Sequence, residues 1–151
     1  FALAELVHDV AQKHQQEAAR RGVTLDVTGD PAMPLASGDV AMTERVLDNL
    51  IGNALAYSPE GGTVELALSG GQLPAVVVRD NGPGIPEQEL PHVFDPFFRG
   101  HQESARGEGL HAGLGLAIAR RIMTLQQGDI RAGNRAGGGA EFRIVLPSMA
   151  P

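Results

Sequence analysis

Three groups of residues have the types and spacing to do chemistry. Asn49 and Asn53 lie four apart in a helix-periodic stretch, so their side chains stack on one face. A carboxamide carbonyl is a neutral, hard oxygen ligand suited to Mg²⁺, which takes one or two protein groups together with phosphates and water. The same pair also suits amides bonded to backbone on a helix surface or in a core. Asp80-Asn81-Gly82-Pro83-Gly84-Ile85 directly follows an apolar run. A carboxylate where a strand opens into a turn can accept from an exocyclic amine, and the glycines let backbone approach a flat ligand; an ordinary turn reads equally well. Gly113-Leu114-Gly115-Leu116 opens a third apolar-periodic stretch. Unpaired N–H groups at a helix N-terminus attract anions, whereas close helix packing explains the same glycines.

Composition removes several alternatives. The 151 residues include no cysteine, so disulfides, thiolate metal sites and a cysteine nucleophile are excluded. His14, His92 and His101 have no ligand-like spacing, which argues against zinc. The 12 basic residues are 11 arginines and one lysine, Lys13, which lies far from any glycine-rich stretch. A P-loop needs a lysine directly after its glycines, so that phosphate-binding device is ruled out. Gly113–Leu116 also fails as a dinucleotide fingerprint, because no strand immediately precedes it and the third glycine position is Ile118. A net charge of −6 argues against an electrostatic grip on nucleic acid. No apolar run approaches the roughly 18–20 residues of a membrane span. Starting at Phe1 rather than Met suggests a piece of a longer protein.

These groups need elements to position them. Leu3, Leu6, Val7 and Val10 predict an amphipathic helix over residues 3–21 that ends at Gly22. Residues 23–27 alternate as a strand. Asp39 reads as the N-cap of a helix carrying Val46, Leu47, Leu50, Ile51 and Leu55 and stopping at Ser58-Pro59. Residues 63–68 and 73–79 predict a hairpin turning at Gly70-Gly71, with Val76-Val77-Val78 suggesting burial on both faces. Residues 80–112 have no sustained period and read as a long functional loop. A helix from Gly113 to Gly128 and a hairpin of residues 129–134 and 140–146 complete the order. The fold class is α+β: a two-layer sandwich in which about three helices cover one face of a mixed, mostly antiparallel sheet.

With all three groups in this order, the chain resembles the ATP-binding domain of sensor histidine kinases, within the Bergerat-fold ATPases. Arg45 through Pro59 looks like the family's N box, Asp80–Ile85 its first glycine box and Gly113–Leu116 its second. Phe94-Asp-Pro-Phe97-Phe98-Arg99 looks like the F box, and Gly137-Gly-Gly139-Ala-Glu-Phe142 the glycine turn before the last strand. The resemblance covers residues 3–147.

The resemblance implies that Asn53 ligates a Mg²⁺ bridging the triphosphate, with Asn49 as second ligand or positioning group. It implies that Asp80 binds the adenine amine, with Gly82, Gly84 and Ile85 against the purine, and that Tyr57 lines the nucleotide. Residues 95–112 would form a lid hinged on Gly100, Gly107 and Gly109 and carrying Phe97. Gly113, Leu114, Gly115 and Leu116 would meet phosphate oxygens, and Arg99 and Arg106 are the nearest cations for the γ-phosphate. Two positions depart from the family pattern: Ala56 stands where a lysine or arginine is usual, and His111 where the second glycine box has its first glycine. The first removes a phosphate contact; the second crowds the lid or supplies a contact of its own. Related gyrase, mismatch-repair and chaperone ATPases have a general-base glutamate where Asn49 sits. Asparagine cannot take a proton from water, which suits a kinase that preserves the γ-phosphate.

The implied activity is ATP-dependent protein-histidine kinase, with ATP and Mg²⁺ as cofactors. Residues 1–22 would be a linker helix to an upstream dimerisation and histidine-phosphotransfer domain, residues 23–147 the catalytic domain and 148–151 a tail. His8-Asp9 lies too close to the N box, with a strand between, to be the acceptor. Expected partners are that upstream domain and, through it, a response regulator, with no nucleic acid and no direct membrane contact. The expected location is cytoplasmic, including as the cytoplasmic part of a membrane-bound bacterial sensor. A serine kinase of the anti-sigma-factor type shares the fold, but the F box and Tyr57-Ser-Pro favour the histidine kinase. Ala56 and His111 point to a non-enzyme alternative, a nucleotide sensor or docking module.

Overall fold

The computed structural model describes residues 1–98 and 114–149. Helix α1 spans Leu3–Arg20 and buries Leu3, Leu6, Val7 and Val10. It ends at Arg20, one residue before the expected boundary, and Gly22 follows the cap with a φ of 70°, available to glycine without a Cβ penalty. Helix α2 spans Val40–Tyr57 and begins at Asp39, whose carboxylate accepts from the Met42 N–H at 2.9 Å. Helix α3 spans Gly115–Leu125. The strands are β1 Thr24–Gly29, β2 Thr63–Gly70, β3 Pro74–Arg79, β4 Asp129–Asn134 and β5 Ala140–Val145.

The strands form one sheet in the order β1-β2-β3-β5-β4. β1 and β2 are parallel, with α2 as the crossover that a parallel pair requires, and every other pairing is antiparallel. Alternate strand residues on one face, among them Leu25, Val64, Leu66, Val76, Val78, Ile130, Phe142 and Ile144, join the buried residues of the three helices in one apolar core. The mixed sheet with helices on a single face is the architecture expected. Helix α1, read as a linker, is also part of that core.

Burial of β3 on both faces holds only in part: Ala75, on the face away from the helices, is buried, but its neighbour on that face, Val77, is not. Val76 and Val78 are buried, but Val77 points to the other face, half-buried between its register partners Ala67 and Arg143. The helices cover only one side, so a run of β-branched residues on a central strand marks strand propensity rather than two-sided burial. The described part of the long loop, residues 80–98, is more anchored than its lack of period suggests. It holds a short 3₁₀ turn, Leu90–His92, and Val93, Phe94 and Phe98 pack on the core. Residues read as a tail also pair: Ser148 bridges to Ala36, and the Met149 N–H donates to the Leu35 carbonyl.

Candidate functional site

Helices α2 and α3 run antiparallel. At one end the Gln126 amide donates to the Thr43 hydroxyl at 3.2 Å, and at the other the Asn49 carboxamide donates to the Gly115 carbonyl at 3.1 Å. The second bond joins the two asparagine-bearing turns of α2 to the glycine start of α3. Asn49 therefore satisfies the backbone-bonded reading through its Nδ2. Asn53, one turn on and half-buried, makes no carboxamide hydrogen bond among the described residues. α3 starts without a side-chain cap, so its first-turn N–H groups, including those of Gly115 and Leu116, are not met by a capping side chain.

Asp80 directly follows β3 and is 3% exposed. Its Oδ1 accepts from the Gly82 N–H at 2.8 Å, closing an Asx turn, and from the Ala140 N–H at 3.0 Å. Both bonds use the same oxygen, which leaves Oδ2 to face other partners. The backbone of Asp80 is held as firmly: its N–H donates to the Ala140 carbonyl, and its carbonyl accepts from Arg135 Nη1 at 3.0 Å. Asn81 turns away, and its side chain accepts from the Thr63 N–H.

The loop glycines have reasons within the protein. A Cβ on Gly82 would stand 2.7 Å from the Tyr57 carbonyl oxygen, so this glycine lets the Asp80 turn lie against the C-terminal end of α2. Gly84 has φ 82°, and a Cβ there would stand 2.9 Å from Asn134 Oδ1. Tyr57 is thus brought beside the Asp80 loop by its backbone. Phe97 stands apart, with φ 64° and 74% exposure, while Phe94 packs edge-on to Phe142 beneath the Arg120 guanidinium. Arg99, Arg106, His111, Gly113 and the proposed hinges Gly100, Gly107 and Gly109 lie outside the described residues.

The lone lysine is committed elsewhere. Lys13 of α1 bridges Glu44 at 2.8 Å and Asp48 at 2.9 Å on α2, and His14 Nε2 meets Asp48 Oδ1 at 2.8 Å. The Asp48 and Glu44 carboxylates hold its ammonium pKa above the ordinary lysine value, Asp48 contributing most. The second histidine pair, His92 with Asp95, is exposed, and no cluster among the described residues has a metal-binding set of histidine and carboxylate ligands.

Asn134 and Arg135 were not visible as site residues in the sequence. The signal that could have found them is their position, a polar pair where β4 ends, one residue before the Gly137–Gly139 turn.

The family model described as histidine kinase-, DNA gyrase B-, and HSP90-like ATPase matches residues 38–150. The chain belongs to this family. Among curated members similar to it are the sensor histidine kinase TmoS of Ectopseudomonas mendocina, 34% identical over 99% of this chain and 15% of its own length, and the sensor protein kinase PmrB of Pseudomonas aeruginosa, 36% identical over 99% of this chain and 31% of its own. The chain therefore spans under a third of these multidomain relatives. Solved structures similar to this ATPase-family domain include the catalytic domain of histidine kinase ThkA, with TM-score 0.83 and 26% identity over 98% of this chain and 95% of that one. The mycobacterial sensor histidine kinase MprB gives TM-score 0.84 and 29% identity over 100% and 99%. Full-length ShkA in complex with AMPPNP gives 0.80 and 27% over 100% of this chain and 31% of that one.

Proposed function

We propose that this chain is the catalytic ATP-binding domain of a two-component sensor histidine kinase, which binds Mg-ATP and delivers the γ-phosphate to a histidine in a separate domain of the same protein. The response regulator would be reached through that domain. No helix among the described residues is long and apolar enough to cross a membrane. The observation that carries the proposal is the Asn49–Gly115 bond, which joins a metal-suited helix face to an uncapped helix start in a fold shared with histidine kinase catalytic domains.

Each residue then has a physical task. Asp80 Oδ2 accepts from the purine amine, because Oδ1 is already occupied by two N–H groups. Tyr57, Gly82, Gly84 and Ile85 border the base. The Asn53 carbonyl would be the oxygen donor for Mg²⁺, and Asn49, held through Nδ2, would have its Oδ1 available as a second donor. Mg²⁺, when bound, neutralises charge on the triphosphate oxygens. The N–H groups of Leu114, Gly115 and Leu116 at the α3 start point their partial positive charge at phosphate. Arg99 and Arg106, and His111 if protonated, supply further positive charge, with Ala56 contributing none. Asn49 does not abstract a proton from water, so the γ-phosphate waits for an external histidine, and transfer rests on positioning and charge neutralisation.

The test is titration of this chain with a non-hydrolysable ATP analogue, with and without Mg²⁺ and beside Asp80→Ala. Binding that requires both Mg²⁺ and Asp80 is expected; no binding by the unaltered chain would overturn the proposal. Phosphotransfer to an added histidine-hairpin domain, and not to a serine protein, separates the two kinase classes.

A further inference from the structure

The Asp80–Ile85 loop is pinned at its first and last residues by two consecutive residues of the closing hairpin. At the first, Arg135 Nη1 donates to the Asp80 carbonyl at 3.0 Å. At the last, the Asn134 carboxamide bonds Ile85 twice: its Oδ1 accepts from the Ile85 N–H and its Nδ2 donates to the Ile85 carbonyl, both at 2.7 Å. A primary carboxamide has the same donor and acceptor as a peptide group, so Asn134 pairs with Ile85 as a neighbouring strand would. The side chain of a strand-end residue thereby extends sheet-like pairing onto a loop with no strand of its own.

The local backbone is shaped to these contacts. Gly84 takes φ 82°, and any side chain there would meet Asn134 Oδ1. Gly139 takes φ 100°, and a Cβ there would stand 2.0 Å from the same Asp80 carbonyl oxygen that Arg135 binds, so the position requires glycine on both counts. We infer that Asn134 and Arg135 are positioning residues that set the base selectivity of the nucleotide site: they fix where the Asp80 carboxylate and the Ile85 edge stand, and so favour a purine with an amine at its 6-position over one with a carbonyl there. This rests on Asp80–Ile85 being the purine-binding loop. Neither residue touches the nucleotide. They act through the loop, and a displacement of a few tenths of an ångström at Asp80 is enough to misalign a hydrogen bond to the amine.

The experiment uses this chain with Mg²⁺, measuring ATP-analogue and GTP-analogue affinity by competition together with amide hydrogen exchange. Asn134→Ala is expected to lower ATP affinity about fivefold, with GTP changed less than about twofold. Exchange at the Ile85 amide should rise about tenfold or more while the Val76 and Val78 amides of β3 are unchanged. Arg135→Ala should shift the ATP-to-GTP preference in the same direction, and Arg135→Lys, which keeps a donor for the Asp80 carbonyl, should recover part of it. Faster Ile85 exchange with an unchanged nucleotide preference would reduce the contact to a structural tie and overturn the proposal, as would no change in either. If Asp80→Ala leaves ATP affinity intact, the purine-loop reading itself fails, and this is seen independently of the exchange result.

Discussion

The sheet contains two hairpins of similar length that treat their glycines in opposite ways. The β2–β3 hairpin turns at residues 71–73, where a Cβ on Gly71 would meet nothing nearer than the Ser69 hydroxyl at 3.9 Å. The β4–β5 hairpin turns through Gly137, Gly138 and Gly139, all at positive φ, and leans on Asp80 so closely that only a glycine fits at 139. The first turn merely reverses the chain. The second is also a wall of the candidate site, and its backbone geometry is dictated by a carbonyl it must admit. Glycine count alone does not separate these roles; the neighbour at the missing Cβ does.

That contrast can be broken most directly at its two extremes. Gly139→Ala is expected to cost about 3 kcal/mol or more, combining a backbone clash with a disfavoured φ, and to abolish nucleotide binding. Gly71→Ala should lie within about 0.5 kcal/mol of the parent in urea unfolding. A tolerated Gly139→Ala would show that the hairpin can retreat from Asp80 without harm. Next in size is Asp80→Asn. It keeps an acceptor for the Gly82 and Ala140 N–H groups, so the fold should persist, but it replaces a charged acceptor with a neutral one. ATP affinity should fall about tenfold or more, read by calorimetry. Gly137→Ala comes third: φ is 91° but nothing lies within 4 Å, so strain alone applies, about 1–2 kcal/mol in thermal unfolding.

A small effect, visible mainly in acid, also belongs to the β2–β3 side. On the sheet face away from the helices, Glu65 accepts from the Thr28 hydroxyl and pairs with Arg79, which also binds Glu141. The Thr28 hydrogen bond, followed by Arg79, outweighs burial and holds the Glu65 carboxyl below its ordinary value of 4.5. A lowered folded-state pKa means that this stabilisation is complete above about pH 4.5 and is lost as pH falls through the lower folded value. Glu65→Gln should therefore flatten the acid limb of the stability profile, with less than about 1 kcal/mol of effect at neutral pH. An unchanged acid limb would remove Glu65 from the account.

Much of the architecture could be read from periodicity and caps. Asp39 starts its helix as expected, Gly22 ends α1, and the Gly70-Gly71 hairpin lies between β2 and β3. Each is a local device written in one or two residues. The readings that changed depended on what lies across space. Val77 could not reveal that helices cover only one face of the sheet. The expected ligand-side role of Gly82 and Gly84 is untouched, but Tyr57 and Asn134 come close enough to require both glycines for reasons within the protein. The Asn134–Ile85 pairing spans 49 residues of sequence, and no period or motif within one segment encodes it.

The strand order leaves β1 and β4 at the rims of the sheet. Both rims are dressed in the same fashion: Asp26 on one and Asp129 with Arg131 on the other stand exposed, the last two paired at 2.7 Å. A bare rim is a template on which a stray strand can polymerise, and solvated charge is what spoils that template. The five-stranded sheet is thus terminated at both ends, as an end group terminates a growing polymer.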